Sequence, residues 1–588
     1  MSGDRIPGDL ASERPPADRL DSWKEIAAYL KRDERTVRRW EENEGLPVHR
    51  HQHKSRATVF AYKSELDAWW NNDHQRLEVH PQTPPIDLPE TTIAPVQTNR
   101  RKFVLIGVLA IALAGTGIYL RRLLVSKALP HTRSIAVLPL ENLSNDPQQD
   151  YFADGLTEAL ITDLGKVSSL RVISRTSVTR FKGAKKAVPE IGRELGVDTL
   201  VEGAVLRSGD RVRITAQLID AGTDRHLWAE SYERDLRDII ALQAEVARAI
   251  ALQIRVKLSP SPGPLRTDAR TLEAYELYLK GRYSRDKGDD EGLKLAFGYF
   301  QQALQADPQY AAAYAGLSES YAMLPFYTHT PPREAFPQAK KAAAKALELD
   351  DGLAEAHAAM AYVKTYFDWD WAGAEREFRR ALELNANSAD THHSYSRYLA
   401  SLGRLTEARV ELMRAQELDP LSLIIQANAG VISYFGRDYN NAINELRKTN
   451  EVDPHFPVPY WGLGMCYEQQ GKYEEAIAQF QKTIEVSGRE PNTIASLAHT
   501  LGLAGRVADA KKILLELKER SKKDYVSSYQ LAVIELGLGH KDEALKDLGA
   551  AFLERSTLLA YLKMDPRFDP LRTDQDFQKL VSGIGFPQ

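Results

Sequence analysis

A period of 34 residues constrains this chain more than any other feature of its sequence. Ala408, Ala442, Ala476, Ala510 and Ala544 stand 34 residues apart. Ser396, Gly430, Gly464, Ala498 and Ala532 recur in the same phase, and so do Leu412, Leu446, Phe480, Leu514 and Leu548. A period of this length calls for one supersecondary unit per repeat. The small positions let two paired helices approach closely, and the large apolar positions fill the seam between them. No unit of this kind buries its own core, so the array is stable only when stacked. Pro420 and Pro454 end two of the units, after ELD and EVD.

The string GKYEEAIAQFQKTIEV, from Gly471 to Val486, closely resembles the tetratricopeptide repeat. Earlier units fit more loosely: Phe300, Ala303 and Pro308 mark one, Tyr314, Leu317 and Tyr321 another, and FDWDWAGAEREFRRALEL supplies a third. The array is read as about eight units over 271–588, with MDPRFDPLRTDQDFQKLV capping the last. The resemblance implies a concave groove that takes a protein segment or peptide, with Asn428 a candidate lining residue. Trp369 and Trp371 read as packing at a helix–helix turn. Cys466 is the one cysteine, which excludes an internal disulfide and a cysteine-based zinc site; with no histidine partner pattern it reads as a structural thiol.

The formal net charge of the 588 residues is -4, so a case for nucleic-acid binding must be local. It is found at 20–78, after a polar tail at 1–19. Ser22 can cap a helix with Trp23, Ile26, Ala27 and Leu30 on its apolar face. After a turn at Lys31-Arg32-Asp33, Asp33 can cap a second helix that turns Val37 and Trp40 inward and leaves Arg35, Thr36, Arg38 and Arg39 outward. Pro47 ends the helical pattern. HRHQHKSRATVFAY then reads as two short strands, and a third helix carries Leu66, Trp69 and Trp70. The string KEIAAYLKRDERTVRRWEENEGLPVHRH resembles the winged helix-turn-helix of the MerR and excisionase class. The resemblance implies that Arg35, Thr36, Arg38 and Arg39 lie on a recognition helix entering the major groove of duplex promoter DNA. His49, Arg50, Lys54 and Arg56 would lie in the wing. The class often has glycine in the turn where this chain has lysine, which matters if φ must be positive there. His49, His51 and His53 alternate and would share one strand face, but they read as polar wing residues and not as metal ligands.

PQTPPIDLPETTIAPVQTN, within 79–99, is a Pro/Thr-rich linker. The run after it is uncharged from Phe103 to Leu120 and flanked by arginines and a lysine. At 1.5 Å per residue it reaches roughly 27 Å, enough for a bilayer core, and it is read as a transmembrane helix at 103–124. Gly107, Ala110, Ala114 and Gly117 share one face of that helix and could form a seam in a homodimer. Both flanks are basic, so charge does not orient the span.

Residues 133–258 alternate strand and helix patterns. SIAVLPL is a buried strand, DYFADGLTEALITDLGKV a helix and LRVISR a second strand. Ser208-Gly209-Asp210 turns a hairpin whose Val212, Ile214, Ala216 and Leu218 alternate with polar residues. IAVLPLENLSND, DYFADGLTEALITDL and LWAESYERDL resemble the TolB amino-terminal domain, which implies a small α/β domain for protein contacts. Residues 259–270 form a linker to the repeats. There is no phosphate loop, dinucleotide fingerprint or nucleophile elbow, and Asp150, Asp154, Glu158 and Asp163 read as capping and solvated acids.

The expected fold is therefore multidomain: a small winged helix-turn-helix, one transmembrane helix, an α/β domain and an all-α solenoid. This order of domains resembles the ToxR- and CadC-like membrane-anchored regulators. It implies a DNA-binding transcription regulator without enzymatic activity, cofactor or metal. Its DNA reader would be cytoplasmic, its single span in the inner membrane, and its repeats extracytoplasmic. The alternative is a non-enzymatic envelope scaffold whose helix-turn-helix binds protein.

Overall fold

The computed structural model describes residues 19–20, 22–44, 46–51, 58–73, 134–144, 146–254, 269–287 and 289–587. The chain forms two bodies, 1–118 and 119–588.

In the first body, β1 (Arg19–Leu20) precedes α1 (Trp23–Tyr29), α2 (Glu34–Glu44), β2 (His49–His51), β3 (Thr58–Tyr62) and α3 (Lys63–Asp73). The strands order β1-β3-β2, all antiparallel. Arg19, placed in the polar tail by the sequence, pairs with Tyr62. The core is small. Leu20, Ile26, Ala27, Val37, Trp40, Leu46, Ala61 and Leu66 are buried, with Trp23, Leu30, Val48 and Trp69 packed at its edge.

The second body opens with a mixed sheet. Its elements are β4 (Ser134–Val137), β5 (Glu141–Asn142), α4 (Asp150–Gly165), β6 (Arg171–Val172), α5 (Arg175–Thr179), α6 (Val188–Leu195), β7 (Thr199–Ser208), β8 (Arg211–Asp220), β9 (Arg225–Asp235) and α7 (Ile239–Gln253). The strand order is β6-β4-β7-β8-β9, with β5 on β7. β4 runs parallel to both β6 and β7, and β7, β8 and β9 form an antiparallel meander. α4 and α7 share a core with Val212, Ile214, Ala216 and Leu218 of the meander. A second core joins Val178, Ile191 and Leu195 of α5 and α6 to Leu200 and Ile219.

Eight helix pairs follow among the described residues. They are α8 (Ala269–Arg285) and α9 (Asp290–Ala306); α10 (Ala311–Tyr327) and α11 (Pro332–Leu349); α12 (Ala354–Val363) and α13 (Trp371–Leu384); α14 (Ala389–Ser401) and α15 (Leu405–Leu418). The remaining pairs are α16 (Leu423–Phe435) and α17 (Tyr439–Val452); α18 (Pro457–Gln469) and α19 (Tyr473–Ser487); α20 (Pro491–Leu503) and α21 (Val507–Arg520); α22 (Ser528–Gly537) and α23 (Lys541–Glu554). Leu446, Phe480 and Leu548 are fully buried. A Cβ at Gly464 would fall 2.7 Å from the Phe480 ring, which is why this seam position stays small. After α23 come two short 3-10 turns and α24 (Gln575–Ile584). Leu559, Leu562, Phe568, Leu571, Phe577 and Ile584 of this last segment are almost wholly buried. At roughly 1.5–3 kcal/mol per large apolar side chain, their burial is worth on the order of 10 kcal/mol as an upper bound.

The sheet and the repeats form one continuous structure. The Ser174 amide donates to the Leu418 carbonyl (2.8 Å), Ser177 Oγ donates to Asp419, and Asn387 Nδ2 donates to the Gly165 carbonyl (2.9 Å). Arg171 reaches the Glu417 carbonyl (2.9 Å). Glu158 of α4 takes both Arg175 and Arg282, so one of the acids read as solvated is an inter-domain anchor.

Among the described residues, no helix is long and apolar enough to cross a membrane. The expected fold class is corrected accordingly, to a multidomain chain with a sheet domain and an all-helical solenoid. The described residues therefore do not support a single-pass inner-membrane localisation, and they show no contact surface for a bilayer. A span is a continuous apolar helix, and the described residues hold none. Residues 103–124, with Gly107, Ala110, Ala114 and Gly117, lie outside the described residues, as do the linker 79–99 and residues 259–268.

Candidate nucleic-acid interface

The local sequence builds a helix pair with one basic outer face. Ser22 accepts the Glu25 amide (3.2 Å) and starts α1. α1 ends in a left-handed residue, Lys31, with φ 53°. The Lys31 amide bonds the Ala28 carbonyl (3.3 Å) and the Arg32 amide the Ala27 carbonyl (3.0 Å), which closes the C-terminal turn of α1. Asp33 then caps α2. Its carboxylate accepts the Thr36 amide (2.9 Å) and the Thr36 hydroxyl (2.8 Å). Those two hydrogen bonds hold the Asp33 carboxyl below its ordinary range.

Val37 and Trp40 of α2 face the core, and Trp40 packs on Trp69 of α3 with ring centroids 5.8 Å apart. Arg35, Arg38 and Arg39 are exposed. Positions 35 and 39 lie one turn apart, separated by about 6 Å along the axis. Arg38 is held more closely: its guanidinium lies 3.6 Å from Glu34 and over the Trp23 ring at 5.1 Å. An exposed i,i+4 pair of this kind is worth only about 0.3–0.5 kcal/mol, so Arg38 is easily drawn to another anion. Thr36 is half-buried and its hydroxyl serves the cap.

In the wing, His49 is held by the protein itself. Its Nε2 lies 2.6 Å from Glu65 of α3, and its ring stacks on Phe60 at 5.2 Å. Arg50 pairs through its backbone with Val59. Lys54 and Arg56 lie outside the described residues. The sequence reading missed Arg19, whose guanidinium sits 4.0 Å from the centroid of Phe60. Its only signal was one Arg-Leu pair before the first cap, too short a stretch to show strand alternation. Together these residues present guanidinium groups, whose planar forks donate to guanine edges and to phosphate.

The other candidate residues lie in the repeats and are structural. Trp371 donates Nε1 to the Ile584 carbonyl (3.1 Å) and stacks on Phe586 at 4.8 Å. Trp369 packs on Phe552 at 5.1 Å, and Asn428 is buried in α16. Burial pushes the Cys466 thiol up to about 12, which leaves it unreactive at neutral pH. Among the described residues no group of three or more His, Cys, Asp or Glu side chains is arranged to hold a metal.

Residues 131–249 match the family of HilA/YgeH-like transcriptional regulators, second domain, and residues 457–488, which hold α18 and α19, match the tetratricopeptide repeat. The chain thus carries a HilA-like transcriptional regulator domain and tetratricopeptide repeats. The family matched over the sheet is the HilA-like one, which corrects the TolB likeness read from the sequence.

Over 192 residues the chain is 45% identical to "Putative adenylate cyclase 3" of Rhizobium meliloti (strain 1021), covering 32% of this chain and 33% of that protein. It is 26% identical over 236 residues to Superkiller protein 3 of Schizosaccharomyces pombe, covering 39% of this chain and 16% of that one. The chain therefore spans a third or less of the length of these two relatives. A solved structure of PilF from Pseudomonas aeruginosa is 22% identical, covers 37% of this chain and 96% of its own, and has a TM-score of 0.29. The expectation of a chain without enzymatic activity is overturned by the Rhizobium relative, which is named for an enzyme. The absence of a phosphate loop, a dinucleotide fingerprint and a nucleophile elbow speaks only to the chemistries that use them.

Proposed function

We propose that this chain is a transcription regulator whose first body reads duplex promoter DNA through α2. The observation that carries the reading is the row of exposed arginines at 35, 38 and 39 on a helix capped at its start and packed on its far side. The HilA-like domain at 131–249 supports it. Arg35 and Arg39 make the direct contacts, to base edges or phosphates. Arg38 exchanges Glu34 for a phosphate. Thr36 acts as a positioning residue by fixing the first turn, and His49 holds the wing on α3. Arg50, Lys54 and Arg56 belong to the same basic wing in the sequence. The repeats supply contacts to protein.

The test uses the full chain and a random-sequence duplex pool from which retained sequences are selected. The enriched duplex should bind with an affinity that falls steeply with salt. Arg35→Ala and Arg39→Ala should each weaken binding by about 10- to 100-fold. A pool that shows neither enrichment nor salt-dependent retention sinks the reading.

A second reading, formation of cyclic AMP from ATP, is favoured by the 45% identity to the Rhizobium protein. Incubating the full chain with ATP and magnesium and measuring cyclic AMP tests it directly; no product above the level of a heat-denatured control removes it.

A further inference from the structure

Six turns between paired helices repeat one backbone conformation at intervals of 34 residues. Trp369 (φ 59°), Gly403 (82°), Arg437 (63°), Gly471 (73°), Gly505 (78°) and Gly539 (81°) are all left-handed. Glycine adopts this conformation freely, whereas a side chain makes it unfavourable. Four of the six positions are glycine. Geometry of the repeat alone would favour glycine at the other two as well, so Trp369 and Arg437 need a different reason.

Both side chains reach the end of the chain. Arg437 donates to the Met564 carbonyl (2.6 Å) and to Asp569 (2.9 Å). Trp369 packs on Phe552 and lies 4.1 Å under the Arg555 guanidinium. Even Gly403 is close: a Cβ there would lie 3.1 Å from the Met564 sulfur.

Residues 556–587 touch first helices, and in the third repeat the turn that follows one, far apart in the array. Tyr561 Oη meets Tyr366 Oη at 2.7 Å and accepts from Arg397 Nε at 3.1 Å, and the Tyr561 ring stacks on Phe435 at 5.5 Å. Asp565 accepts Tyr529 Oη (2.7 Å), and Arg567 reaches Ser496 Oγ (3.3 Å). These partners belong to the third, fourth, fifth, eighth and seventh repeats. One segment can meet them all only if the array curves around it, with its first helices inward.

We propose that residues 556–587 fill the groove of this array in cis, that Arg437 is the clamp that holds them there, and that Trp369 anchors the end of α23 from which they leave. The groove is then closed to peptide partners, and proteins that bind the repeats do so on their outer surface. This inference stands on the geometry of the repeats and is independent of whether the first body binds DNA.

Arg437→Gly is the sharpest test, because it restores the residue found at the equivalent turns while deleting the clamp. Hydrogen exchange of the full chain is the readout. Amides of 562–572 should exchange about tenfold or more faster in the variant, with α18–α21 unchanged. If Arg437 serves only its own turn, glycine leaves the exchange of 562–572 as it is or slows it, and the proposal fails. The unaltered chain supplies a second measurement. A fluorescent peptide with the sequence of residues 556–588, added at micromolar concentration, should not bind it; saturable binding would show an open groove and overturn the closure.

Discussion

Lys31, between α1 and α2, and Arg437, between α16 and α17, both follow a helix in the left-handed conformation, with φ of 53° and 63°. Both close the helix with the same pair of backbone hydrogen bonds. The Lys31 and Arg32 amides reach Ala28 and Ala27, and the Arg437 and Asp438 amides reach Tyr434 and Ser433. Beyond the backbone the two turns differ. The Lys31 side chain is exposed, while Arg437 binds a carbonyl and a carboxylate more than a hundred residues away. Local strain persists where long-range contacts offset it. The large body has such contacts to offer. In the small body the exposed Lys31 side chain makes no such contact among the described residues, and Lys31 keeps an unfavourable φ with only the exposed side of the turn to gain from.

The heaviest blow to this contrast falls on the segment that Arg437 holds. Asp565 and Arg567 are a buried pair, with Arg567 Nη2 2.6 Å from Asp565 Oδ2 and both side chains almost sealed from water. Asp565→Ala would leave the guanidinium buried without its carboxylate and should cost about 3–5 kcal/mol. Urea unfolding of the full chain, followed by helical circular dichroism, should show a lower midpoint. A loss below about 1 kcal/mol would mean that the segment is peripheral to the array, and the contrast between the two turns would lose its basis.

A smaller effect depends on pH. Asp547 of α23 is half-buried, and burial pushes its carboxyl from 3.8 up to about 6. The folded-state value is raised, so the stabilising contribution is complete below the unfolded value and is lost as pH rises through about 6. Asp547→Asn escapes that loss. It should be more stable than the wild type by on the order of 2 kcal/mol near pH 8, and the advantage should shrink towards about pH 4. Urea midpoints at the two pH values check the sign; an advantage independent of pH would assign the effect to packing.

The sequence made the local parts of this molecule legible. The 34-residue register named Leu446, Phe480 and Leu548, and all three are fully buried. In β8, Val212, Ile214, Ala216 and Leu218 alternate in the sequence and are buried, while Arg211 and Arg213 are exposed and share Glu233. The caps of α1 and α2 were visible as Ser22 and Asp33. What periodicity could not show was partnership across the fold. Glu158 looked like a solvated acid until Arg175 and Arg282 were found on it. Arg437 occupies a position where only the missing glycine was a hint, and its partners lie over a hundred residues downstream. His49 looked available in the wing, and Glu65, on the following helix, holds it. Charge pattern gave the basic face of α2 but not which arginine was already engaged, because Trp23 and Glu34 meet Arg38 through side-chain direction rather than spacing alone.

The smallest expected effect is the most direct check on the comparison. Lys31→Gly removes the left-handed penalty between α1 and α2, and removes no hydrogen bond made by the lysine amide. Two terms oppose the gain: the unfolded chain becomes more flexible, and a cation is lost from the C-terminal end of a helix. The balance should leave the first body more stable by about 0.5 kcal/mol, which is about a twofold increase in exchange protection across α1 and α2. Arg437→Gly, the same substitution at the same φ class, should do the opposite at 562–572. Opposite signs at the two positions mean that Arg437 is kept for what it holds. If both substitutions raise protection around them, the two turns carry ordinary strain alike, and the clamp across the groove has no support.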